Sequence, residues 1–78
     1  MHTFYLSVPS MEFSLPGEQG DFGTVLEIAR AHARQFEAEV LVAMDGARIG
    51  EPNRWLIEPD GRMSVEGVQW LRCIGCGD

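Results

Sequence analysis

The amino-acid sequence predicts a two-layer α+β domain: one amphipathic helix packed on a mostly antiparallel, 4–5-stranded sheet, in the order β-α-β-β-β. Three features carry this. Apolar residues alternate at period two in residues 3–8, and strand-like segments flank a Pro59-Asp60-Gly61 turn from residue 54 onward. Residues 25–37 carry a helical apolar arc behind a start signal. Residues 40–44 are apolar at both parities, the mark of a strand covered on both faces. A chain of 78 residues fits one small domain, residues 1–78. Such a domain buries roughly 60% of its unfolded surface and is marginal alone.

Phe4, Leu6 and Val8 define the first strand. Met11, Phe13 and Leu15 continue the alternation, but the apolar parity flips across Pro9-Ser10. This fits an edge strand bent at Pro9, or two short strands joined there. Residues 16–23 read as a loop. Thr24-Val25-Leu26-Glu27 is a capping box, with Thr24 and Glu27 each able to bond the other's backbone N–H. It predicts a helix over Val25–Glu37. Val25, Leu26, Ile28, Ala29, His32, Ala33 and Phe36 share one arc of it, opposite Glu27, Arg30, Arg34 and Glu37. The small Ala29 and Ala33 permit close approach to a sheet. A central strand follows at 39–44, then an Asp45-Gly46 turn and a connector from Arg48 to Asn53. Arg54–Glu58 is the next strand. Pro59-Asp60-Gly61 turns the chain, Pro presetting φ and Gly supplying positive φ. Arg62–Glu66 returns as a strand, Gly67 permits a bulge or tight turn, and Val68–Cys73 forms a last strand. One helix crosses between the first strand and the central one, with a right-handed connection if those two run parallel.

Charge removes several functions. Twelve acids oppose six bases, all of them Arg, for a net charge of −6. No two Arg are adjacent, and acids lie near most of them. Nucleic-acid binding needs a local positive surplus, so direct DNA or RNA binding is disfavoured, as is attraction to anionic lipid. No apolar run approaches the roughly 20 residues that span a bilayer. Without a basic leader at Met1, no signal peptide is expected, and the expected compartment is the cytoplasm, where thiols stay reduced.

The chemical constellations are sparse. Gly17, Gly20 and Gly23 lie between a strand and a helix, as in a phosphate cradle. Glu18 and Asp21 sit inside that loop and no cation is near, so chain turning is the better account. Cys73 and Cys76 have C-x-x-C spacing, which suits a metal or a cycling dithiol. Zinc would need further donors: His2, His32 or the cysteines of a second chain. Two free thiols are the preferred reading. His32 lies on the apolar arc, where a packed histidine is commoner than a general base.

Trp55, Leu56, Ile57, Val40, Leu41, Val42, Trp70, Leu71 and Ile74 populate both parities of the later strands. One helix covers one face, so some of these side chains should point away from it. They would then meet a partner or be covered by the Met11-Phe13-Leu15 segment. By elimination the sequence predicts a small acidic protein-protein interaction module, not an enzyme, able to form a homodimer. Size and charge are like those of phage-type inhibitors of host nucleic-acid-handling or defence (CRISPR-like) complexes. The expected contacts are Glu18, Asp21, Trp55 and Trp70, with no cofactor. The alternative is a small metal- or redox-linked protein using Cys73 and Cys76.

Overall fold

The alternation in residues 3–8 produces the strand on which the other elements assemble. The computed structural model describes residues 2–69. Strand β1 (His2–Val8) turns Phe4, Leu6 and Val8 inward, where all three are buried. Pro9 has no N–H to continue a ladder. It opens a 3-10 turn, Pro9–Met11, that reverses the chain. The chain then returns along β1 in two short pieces, β2 (Phe13–Ser14) and β3 (Glu18–Gly20). Val8 stands opposite Phe13, and Phe4 opposite Glu18. The parity flip at Pro9-Ser10 is thus a strand reversal. The loop expected over 16–23 contains β3 instead. Glu-Gln-Gly has little strand propensity, but the edge of β1 offers backbone partners that need no particular side chain.

Helix α1 spans Phe22–Phe36 and begins before the expected Val25. Its N-cap is Asp21, whose carboxylate accepts hydrogen bonds from the Thr24 N–H at 3.2 Å and the Thr24 hydroxyl at 2.9 Å. An aspartate is a better cap than a threonine, so Thr24 becomes the cap's partner. Gly23 fits this first turn because a Cβ there would lie 3.2 Å from the Asp21 carboxylate. Val25, Ala29 and Ala33 form the buried stripe, and the two alanines are fully covered.

Strands β4 (Val40–Met44), β5 (Pro52–Ile57) and β6 (Met63–Val68) complete the sheet. The order is β2-β1-β4-β5-β6, with β3 beside the other part of β1, six strands rather than four or five. Every pairing is antiparallel, including β1 with β4. The helix therefore links β3 to β4, which flank β1 and run parallel to each other. Gly61 adopts φ +96° in the turn before β6. There the Arg62 N–H donates to Asp60 at 3.0 Å, the first cause holding that carboxyl below its ordinary 3.8. In β6, Val65 pairs with Trp55 and Gly67 with Arg54, leaving Glu66 as an extra, bulged residue. The Arg54 guanidinium passes over Gly67, so a side chain at Gly67 would have to displace it. The strand expected over Val68–Cys73 is absorbed into β6 as far as Val68, and its part from Trp70 onward lies outside the described residues.

The core lies between α1 and one sheet face: Phe4, Leu6, Val8, Val25, Ala29, Ala33, Val40, Val42, Trp55 and Ile57. Phe4, with no exposed surface, is among its largest members. Phe4→Ala should cost about 3–5 kcal/mol. That is a large share of a small domain's stability, so urea unfolding should show a midpoint shifted far below that of the wild type.

Candidate functional site

The sequence-predicted contacts do not form one site. Glu18 lies in β3, half-buried and in register with Phe4. Asp21 has a structural role at the helix cap. Its carboxyl is held below the ordinary 3.8 by the Thr24 hydroxyl first and the Thr24 backbone N–H second. An anion thus already occupies the helix N-terminus, while of the three glycines read as chain-turning Gly17 alone lies outside the regular elements, Gly20 ending β3 and Gly23 lying in the first turn of α1. Trp55 corrects an expectation outright. It is only 7% exposed, its ring centroid is 4.6 Å from that of Phe22, and it belongs to the core rather than to a contact surface. Trp70, Cys73 and Cys76 lie outside the described residues. His32 is half-buried on the flank of α1 and stacks on Phe36 at 6.1 Å. Among the described residues, no three His, Cys, Asp or Glu side chains converge as metal ligands.

The open face of the sheet is also less apolar than the sequence leads one to expect. Val40, Val42, Trp55 and Ile57 all turn toward the helix, and Leu41, Ala43 and Leu56 turn away. Two rows cross this face: Tyr5, Ala43, Arg54 and Gly67, then Ser7, Leu41, Leu56 and Ser64. Hydroxyls and Arg54 thus frame a small Leu41–Leu56 centre. The Met11-Phe13-Leu15 segment does not cover this face. Phe13 shares the face of Val8 and meets Phe36 on the helix side at 5.8 Å, and Leu15 packs against the core.

A different place departs from what stability alone would select. Two residues other than glycine have positive φ, Glu12 at 49° and Glu37 at 51° among the described residues. Both end a helical turn, where the left-handed conformation strains any residue with a Cβ and glycine is the usual choice. Glu37 closes α1, its N–H donating to the Ala33 carbonyl. Glu12 closes the Pro9–Met11 turn, its N–H donating to the Pro9 carbonyl at 3.2 Å. Glu37 lines an open cleft of about 300 Å³ with Pro9, Ser10, Ala38, Glu39 and Pro59, and Glu12 follows directly on the turn that supplies Pro9 and Ser10 to it. The last turn of α1 carries Arg34, which suits the negative C-terminal end of the helix dipole, whereas the Glu37 carboxylate opposes it. The arrangement is an acidic pole whose cleft walls, among the described residues, contain no cation. Sequence reasoning missed it, although Glu37-Ala38-Glu39 at a helix end, where Gly, Lys or Arg is usual, was the available signal.

No family model matches the chain, and neither the curated proteins nor the solved structures include a match to it.

Asp21 gives a pH signature. Its lowered folded-state pKa means that its contribution is fully present above the unfolded value near 3.8 and is lost as pH falls through the lower, folded value. The Tm of Asp21→Ala should lie below that of the wild type at neutral pH, with the gap closing as the medium is acidified through this range. A gap independent of pH would show that the carboxylate is not what caps the helix.

Proposed function

We propose that the protein is a small acidic binding module that presents the pole of Glu12, Glu37 and Glu39 to a basic surface on another protein. It works by association rather than catalysis. The carrying observation is the left-handed Glu37 in the cleft wall beside Glu39, with the left-handed Glu12 closing the turn that supplies Pro9 and Ser10 to the same cleft. Glycine at either position would relieve backbone strain. Strain retained at a surface cleft is a pointer to function rather than to packing. The net charge of −6 adds a long-range attraction to basic partners. The partner chemistry that fits is a protein whose exposed Arg and Lys otherwise meet phosphates, with these carboxylates taking the phosphate positions. A phage-type inhibitor of a host nucleic-acid-handling or defence complex is the narrower form of this reading, supported by size and charge.

Glu37→Gly separates stability from binding. It should stabilise the fold by about 1 kcal/mol through removal of the left-handed strain, read as a raised thermal midpoint, while weakening association with the partner. The shape-conserving pair Glu37→Gln with Glu39→Gln tests binding directly. Affinity purification from the native cells should retain a basic protein with the wild type and release it with the double variant or at high salt. Retention of the same proteins by both forms would overturn the reading.

A further inference from the structure

We infer that strand β6 is a dimerisation edge that pairs antiparallel with β6 of a second copy of this chain. The sheet has two edges of different character. On one side, β2 and β3 are pieces of two and three residues, separated by a break that holds Pro16. Such an edge is blunted against further pairing. On the other side, β6 is six residues long and contains neither Pro nor Lys. Among the described residues it pairs only with β5.

The register follows from hydrogen-bond alternation and charge. The Glu58 N–H donates to the Arg62 carbonyl at 2.8 Å, so Arg62 bonds inward to β5. Antiparallel alternation then turns Ser64 inward and the backbone groups of Met63 and Val65 outward. A twofold axis through Ser64 places Met63 opposite Val65 of the second copy, so each outward group finds a partner. The same register places Arg62 opposite Glu66 of the second copy, twice over. Shifting by one pair in either direction loses both charge pairs. Side-chain directions agree with it. Met63 and Val65, exposed by 42% and 51%, share the helix-bearing face with Ile57 and Trp55. Arg62, Ser64 and Glu66 share the other face, where the Ser64 hydroxyl donates to Glu66 at 3.2 Å. In the dimer the two methionines and two valines form one apolar cluster between two helices, with a crossed pair of ion pairs on the opposite face. The exposed contacts of Arg62 to Asp60 and Glu58 are of the weak, solvent-screened kind and do not hold it back. This inference does not depend on the acidic pole.

Sedimentation equilibrium with two charge variants tests it. The wild type should be dimeric. Glu66→Arg places two guanidinium groups opposite each other at both pairs and should weaken the dimer about tenfold or more. Arg62→Glu places two carboxylates opposite each other and should do the same. In an equimolar mixture of the two variants, each substituted position faces the opposite charge on the other chain. Both ion pairs then form again with their polarity preserved or reversed, and association should recover as a heterodimer. Val65→Pro, which removes only an outward N–H, should give a folded monomer by circular dichroism. A wild type monomeric at several hundred micromolar, a variant dimer as tight as the wild type, or failure of the mixture to associate would each overturn the inference.

Discussion

The Phe22 ring joins the helix to the sheet, and the rest of the architecture depends on that junction. Phe22 is the first residue of α1. Its ring lies 6.1 Å from Phe4 of β1 and 4.6 Å from Trp55 of β5. Strand β4 runs between those two strands, so one side chain spans the middle of the sheet. Aromatic contacts at these centroid distances are favourable in tilted geometries. The contact fixes where the helix starts, and the Asp21 cap then fixes how. From that start, Val25, Ala29 and Ala33 fall on the sheet at successive turns. The alanines let the helix axis approach closely enough for Val40, Val42 and Ile57 to be covered from above.

The same junction explains what was legible in the sequence and what was not. Period-two alternation revealed β1, a doubly apolar run revealed β4, the apolar segment at Trp55-Leu56-Ile57 revealed β5, and Pro59-Asp60-Gly61 revealed the β5–β6 turn. These signals are local and unopposed. The start of α1 was misplaced because Gly20 and Gly23 bracket Phe22 and make it look like a loop residue. Gly23 is in fact accommodation for the cap carboxylate, a three-dimensional reason that helix propensity does not register. Strand β3 was invisible because its side chains, Glu-Gln-Gly, favour no strand. The antiparallel relation of β1 and β4 was equally hidden, since it follows from β2 and β3 having already reversed the chain.

The site was less legible than the fold. Trp55 and Leu56 are adjacent in sequence and differ in parity, and the apolar count could not say which of them faces outward, so Trp55 stood as the expected contact. The pleat sends the indole to the core and the leucine outward. An apolar surplus counted along the chain therefore overstated the apolar character of the open face, where Ser7, Ser64 and Arg54 are interleaved with Leu41 and Leu56. Asp21 illustrates the opposite error. A carboxylate in a glycine-rich loop looked like a contact, whereas the helix N-terminus uses it.

A domain of this size has little stability in reserve, so locally unfavourable choices stand out. Gly23 within a helix is offset by the Asp21 cap, and Gly67 within a strand by the passage of Arg54. Two departures have no such compensation inside the described residues. Glutamate occupies both left-handed turn ends, and β6 leaves a six-residue edge, broken by the bulge at Glu66, with Met63 and Val65 beside it. Local rules of propensity, capping and edge protection normally agree with the global fold, and their failures concentrate where a surface serves something other than folding. These two departures are chemically unlike: one is anionic and strained, the other apolar and hydrogen-bond-hungry with balanced charge. A single partner surface would not suit both. A basic protein matches the first, and a second copy of the same strand matches the second.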